Sequence, residues 1–268
     1  MTEHEYQRIL EEEFEKYQQE NHVLPNIMVL GKVGVGKSSL INNVFGRDVA
    51  KVSDTIPETQ DFECYYGKNN NSNVNLIDSK GYEINTGIGE NANQFNSSVE
   101  AFKDYAEKIK EYILKRYNIA MERIHLVWYC IAVSEKRVED LDKEVLHTLI
   151  NIPELKNRIA IVFTKCDDDD INKSTIKEFR NVLQGYKLPM FETSNLKELP
   201  LDIEKLVDWS AESLGEEDYD LMARFISSRA IDLEERKKKA RKIIATAAAA
   251  AATIGAVPIP FADAPILT

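Results

Sequence analysis

The sequence predicts an α/β domain of three layers, a mostly parallel six-stranded sheet with one antiparallel strand and helices on both faces. Three observations carry that expectation. From Asn26 onward, apolar runs of strand length alternate with helical stripes, the pattern of a parallel sheet covered on both sides. The glycine-rich stretch "GKVGVGKSS" (31–39) stands between the first such run and the first stripe. One connection, "GKNNNSN" (67–73), is polar and too short for a crossover helix, so the strands flanking it must pair antiparallel.

Taken in order, Tyr6, Leu10, Phe14 and Tyr17 recur at helical steps, which predicts an amphipathic helix over 3–20 and a first segment, 1–23. The sheet domain follows over 24–214. Its strands are expected at Ile27–Leu30, Phe62–Tyr66, Val74–Ile77, Leu126–Val133, Ile159–Phe163 and Pro189–Glu192. Its helices are expected at 37–46, 98–116, 139–151, 173–184 and 201–213. "SLGEEDYD" (213–220) reads as a helix stop and linker with Gly215 as the cap. Beyond it, Tyr219, Met222, Phe225, Ile226, Ala230 and Leu233 form another stripe, opening a helical extension over 219–268. That extension carries a basic run, "EERKKKARK" (234–242), and then 26 residues with one charge, Asp263. Alanine is barely hydrophobic and Pro258, Pro260 and Pro265 interrupt the end, so a packed appendage is expected. Membrane contact through this segment is the alternative, and so is an extension cut short of its full length.

Bulk properties narrow the function. The net charge of −11 over 268 residues argues against nucleic-acid binding, which needs a basic face. Cys64, Cys130 and Cys166 are odd in number and lack metal-type spacing, which suits reduced thiols in a cytoplasmic protein, peripheral membrane attachment remaining open. The start "MTEHEYQRILEEEFEKYQQE" is too charged to be expected to act as a signal peptide.

The chemistry sits in four motifs. Gly31, Gly36, Lys37 and Ser38 fit G-x-x-x-x-G-K-[ST] between a strand and a helix. Backbone N–H groups of Gly34, Val35, Gly36, Lys37, Ser38 and Ser39 can cradle an anion there, aided by the helix dipole. Lys37 would reach the outer phosphates and the Ser38 hydroxyl would bind Mg²⁺. "DSKG" gives Asp78 at a strand's end, able to hold Mg²⁺ through water, and Gly81, whose N–H can touch a γ-phosphate. "TKCD" gives Thr164, Lys165 and Asp167. The carboxylate can accept from the N1 and N2 edge of guanine, and the lysine stem can lie on the base. "ETSN" places the Ser194 N–H where it could meet guanine O6.

In this order, these motifs resemble the Ras-like (TRAFAC) GTPase superfamily over roughly residues 24–214. The resemblance implies a P-loop GTPase domain that binds GTP and GDP with Mg²⁺ and hydrolyses GTP as a switch. "HLVWYCIAVSEKRVEDLDKEVL" and the "AVPIP.ADAPIL"-type stretch look closest to bacterial members of the Era-like and TrmE-like branch, which is related to the immunity-related GTPases. The resemblance implies catalytic roles for Lys37, Thr59 and Gly81, and Mg²⁺ held by Ser38, Thr59 and Asp78, with Thr55 the rival of Thr59. Four positions depart from the family's pattern. Thr164 takes the place of the asparagine that usually starts the guanine motif, Tyr82 of a water-orienting glutamine, Val33 of a glycine that admits an arginine finger, and Gly34 of the asparagine of potassium-activated members. Slow turnover, raised by a GTP-dependent homodimer or a partner, is therefore expected, with Arg137 a candidate cross-subunit contact. A nucleotide-binding scaffold with negligible hydrolysis is the competing reading.

Overall fold

The computed structural model describes residues 23–45, 56–57, 62–66, 74–79, 92–167, 169–194 and 201–229. The chain divides into two compact units, Met1–Arg229 and Ala230–Thr268, so all described residues belong to the first. The expected helix at 3–20, the hairpin tip at 67–73 and most of the extension lie outside them.

The first unit runs β1 (Asn26–Leu30), α1 (Lys37–Phe45), β2 (Ile56–Pro57), β3 (Phe62–Tyr66), β4 (Asn75–Ser79) and α2 (Ala92–Tyr117). It continues with β5 (Leu126–Ala132), α3 (Asp140–Ile150), β6 (Ile159–Thr164), α4 (Asp169–Leu183), β7 (Met190–Glu192), α5 (Ile203–Gly215) and α6 (Tyr219–Ser228). The strands form one sheet in the order β2-β3-β4-β1-β5-β6-β7. β3 is antiparallel to β2 and β4, and every other pairing is parallel. The six expected strands are thus joined by a seventh, β2, whose two residues, one a proline, carry no readable alternation. An edge position is where a proline can be tolerated in a sheet.

Alternation along β5 shows how the faces are divided. Trp128 donates its indole N–H to Ser210 Oγ of α5 at 3.1 Å, while Tyr129, on the opposite face, donates to Asp142 Oδ1 of α3 at 2.9 Å. One face therefore packs on α2, α3 and α4 through Ile109, Ile113, Val145, Leu149 and Phe179. The other side carries α1, α5 and α6, where Phe45 and Phe225 meet edge to face at 6.1 Å.

Gly215 does not cap α5 in a left-handed turn. It ends the helix, and the following Glu216 is right-handed. A Cβ at Gly215 would lie 2.9 Å from Met222 Sδ, so the missing side chain lets α5 and α6 approach each other. Asp218 caps α6 by accepting from the Asp220 N–H. Residues 213–220 thus form a turn inside the first unit, and the division between units falls later, at Arg229.

At the sheet's lower end, Asn26 is a hub. Its amide donates to the carbonyls of Met121 and Arg123, its Oδ1 accepts from Asn75, and its backbone N–H donates to His125 Nδ1 at 2.9 Å. His125 is 1% exposed, and burial pulls its pKa from 6.5 to about 4, against the opposing charge of Glu217. The folded state therefore needs neutral His125, while the unfolded chain takes up a proton below about 6.5. Stability is full above that value and should fall by about 2 kcal/mol between pH 7 and 5. Urea unfolding across that window reads the slope, and His125→Asn, which keeps an acceptor at the same reach, should flatten it. An unchanged slope in the variant would contradict the assignment.

Gly31 follows β1 with φ 140°, and a Cβ there would stand 2.5 Å from the Cys130 carbonyl oxygen of β5. Gly34 also has positive φ, 76°, but open space around it. Gly31→Ala should cost roughly 2–4 kcal/mol, from backbone strain and overlap together. Gly34→Ala should cost only about 1–2 kcal/mol, from strain alone. Denaturant midpoints that rank the two the other way would refute the contact.

Candidate functional site

Three strand ends and one helix start converge at the upper edge of the sheet. The loop from Gly31 to Gly36 leaves β1, and α1 begins at Lys37. Gly34 and Gly36 take positive φ, which lets successive N–H groups turn to one side. The carbonyls go elsewhere. Lys37 Nζ donates to Gly31 O at 3.0 Å and to Lys32 O at 3.1 Å, while the Thr164 hydroxyl at the end of β6 donates to Val35 O. Lys37 is buried, and its ammonium lies 3.7 Å from Asp78 Oδ1 on β4. Ser38, in the first turn of α1, is exposed, and Ser39 is partly so.

This arrangement puts a cation and a carboxylate 3.7 Å apart beside a helix whose first turn carries the Ser38 hydroxyl. A hydroxyl and a carboxylate are hard oxygen donors of the type Mg²⁺ takes alongside phosphate oxygens, so Ser38 and Asp78 fit that ion. Among the described residues there is no cluster of three or more His, Cys, Asp or Glu suited to hold a metal alone. Thr59, its rival Thr55, Gly81 and Tyr82 lie outside the described residues.

The second cluster is built by the loops after β6 and β7. Lys165 adopts φ 58°, turning the chain so that exposed Asp167 accepts from the Ser194 hydroxyl. Cys166 N–H donates to Thr193 O at 3.1 Å, and Thr193 donates from both N–H and hydroxyl to Phe163 O. Asn43 of α1 donates to Ser194 O at 2.8 Å. One helix thus ties the phosphate-type loop to the Asp167 cluster. Burial pushes the Cys130 and Cys166 thiols up to about 12, so neither is a nucleophile at neutral pH.

Sequence reasoning missed Asn43, whose signal was a polar side chain among the apolar positions of α1. It also missed a charged network behind the loop. Lys32 pairs with Glu135 and lies 3.3 Å from Glu139, and Asp142 Oδ2 accepts from the Glu139 N–H at 2.9 Å. Asp142 is fully buried, and burial raises its pKa, outweighing the charge of Lys32. Burial alone would lower the Lys32 pKa, but the bond to Glu135 and the charges of Asp142, Glu135 and Glu139 together raise it. Arg137, named from sequence, is 78% exposed and 3.7 Å from Glu139.

Cell division control protein 10 of Saccharomyces cerevisiae is 29% identical over 204 residues, covering 68% of this chain and 57% of that protein. "Probable GTP-binding protein EngB" of Rickettsia rickettsii is 27% identical over 164 residues, covering 61% of this chain and 67% of that protein. The chain thus spans a little over half of the first relative's length. A crystal structure of a probable GTP-binding protein engB aligns over 71% of this chain and 99% of its own, at 18% identity and a TM-score of 0.43. A family model described as 50S ribosome-binding GTPase matches residues 26–165. That match takes in more than half of the 268 residues, and the chain belongs to the family of P-loop, GTP-binding GTPases that the model describes.

Proposed function

We propose that this protein hydrolyses GTP to GDP and phosphate as a molecular switch, slowly on its own and faster when a second copy or a partner docks. The observation that carries this reading is the buried Lys37, set at a helix N-terminus and 3.7 Å from Asp78. A buried cation facing phosphate oxygens gains more where water is excluded than it would at a surface. Ser38 and Asp78, with Thr59, would hold Mg²⁺, which supplies charge neutralisation at the phosphates when bound. Lys37 would offset charge building between the outer phosphates, and the Gly81 N–H would meet the γ-phosphate. The resemblance of His125–Leu146 and of residues 256–267 supports a position in the Era-like and TrmE-like branch. Buried, free Cys130 and Cys166 support a cytoplasmic setting.

Guanine selectivity rests on Asp167 as the acceptor for N1 and N2. Asp167→Asn should weaken GTP binding at least tenfold, roughly the value of charge-assisted hydrogen bonds, and shift preference towards xanthine nucleotides. Titration of the wild type with GTP and ATP is the companion measurement, and equal affinity for both would refute the reading.

Dependence on a second copy rests on the departures at Val33 and Tyr82 and on the exposure of Arg137. Val33 is 50% exposed, and its side chain would crowd an arginine inserted from outside. Turnover per molecule should rise with protein concentration, and Arg137→Ala should flatten that rise while leaving nucleotide affinity intact. Constant turnover from nanomolar to high micromolar protein, with no GTP-dependent dimer in solution, would overturn it.

A further inference from the structure

We infer that Lys32 is a positioning residue of the phosphate loop, held by the carboxylates of Glu135 and Glu139, and that this hold governs how fast nucleotide leaves. The inference rests on reading 31–38 as the phosphate site. Lys32 is fixed at both ends. Its carbonyl accepts from Lys37 Nζ at 3.1 Å, and its ammonium pairs with Glu135 and lies 3.3 Å from Glu139 Oε1, with only 11% of the side chain exposed. The carboxylates are themselves placed by the fold. Tyr129 of β5 donates to Asp142 Oδ1 at 2.9 Å, and Asp142 Oδ2 accepts the Glu139 N–H at 2.9 Å, which sets the start of α3.

The chain of contacts therefore runs from the sheet core through Asp142 and Glu139 to the loop backbone beside Lys37. Glu135 and Lys136 reach this place through a short helical turn, Val133–Glu135, closed by Lys136 at φ 60°. A loop whose N–H groups must aim at phosphate gains from such a brace, because ordering it beforehand removes an entropy cost from binding. Glu135, Glu139 and Asp142 would repel one another without the ammonium between them, so loss of Lys32 should loosen the loop and the start of α3 together. A direct phosphate contact by Lys32 is not needed, since its ammonium is already engaged on the side of α3.

The test is the dissociation rate of fluorescently labelled GDP from the full chain. Lys32→Met should raise that rate about tenfold, the scale of one charge-assisted hydrogen bond. Glu135→Gln and Glu139→Gln should each raise it by less, and Lys32→Arg should restore most of the wild-type rate. Combining Lys32→Met with Glu135→Gln should add little to the single change, since both remove one interaction. Additive effects would overturn the inference, because Lys32 would then act without Glu135. An unchanged rate in Lys32→Met, while Lys37→Ala still abolishes binding, would overturn it and leave the phosphate site standing. Normal binding in Lys37→Ala would instead overturn the phosphate site itself. If Lys32→Met fails to fold, the partly exposed Glu135→Gln and Glu139→Gln decide the matter, and wild-type rates in both count against it.

Discussion

A loop that turns its N–H groups towards an anion has to satisfy its carbonyl oxygens in some other way. Here four of them have partners within the domain. Gly31 O and Lys32 O take the ammonium of Lys37, Val35 O takes the Thr164 hydroxyl, and Gly36 O takes the Leu40 N–H in the first turn of α1. Much of the architecture follows from that requirement. Thr164 ends β6, which lies beyond β5 from β1, so the sheet order must be right for its hydroxyl to arrive. The loop must also pass close over β5, which the absent Cβ of Gly31 permits beside the Cys130 carbonyl. Lys37 becomes buried in doing its part, and Asp78 on the other neighbouring strand balances its charge.

The Asp167 cluster uses the same economy of partners. The loops after β6 and β7 are far apart in sequence, yet Thr193 bonds Phe163 and Cys166 together, and Ser194 donates to Asp167. Asp167 is exposed, so water competes for it. The Ser194 hydroxyl donates to it and restrains the carboxylate's orientation. Thr164 bridges to the phosphate loop through its single hydroxyl, which donates to Val35 O.

Much of this was legible in local sequence. The apolar run at 27–30, the glycines and the stripe Leu40, Ile41, Val44 and Phe45 specify strand, loop and helix by periodicity alone. The polar connection at 67–73 likewise implied the antiparallel β3–β4 pair. Periodicity says nothing about partners distant in sequence. Lys32 with Glu135, and Asn43 with Ser194, look like ordinary surface polar residues until the sheet brings them together. Gly215 misled for a related reason. A glycine near a helix end suits a left-handed cap, but a close approach by Met222 demands the same residue, and only the packing of α6 distinguishes the two. The start of α2 also escaped, because "ANQFNSS" carries no helical stripe.

The two ends of the site and the end of the domain meet on α1, a helix of nine residues. Its first turn carries Lys37 and Ser38, its middle carries Asn43, and its last turn offers the Val44 carbonyl to Arg229 Nε at 2.8 Å. Arg229 is 5% exposed and also pairs with Glu204 through both terminal nitrogens, at 3.1 and 2.6 Å. Burying a guanidinium costs several kcal/mol unless its donors are met, so a site that meets three of them fixes the position of both partners. α1 is therefore restrained at its carboxyl end by a charge from the last described residue and at its amino end by the loop. The contacts at Lys37, Asn43 and Val44 all lie within these nine residues, so the one helix positions the phosphate loop, the Ser194 loop and Arg229 relative to each other.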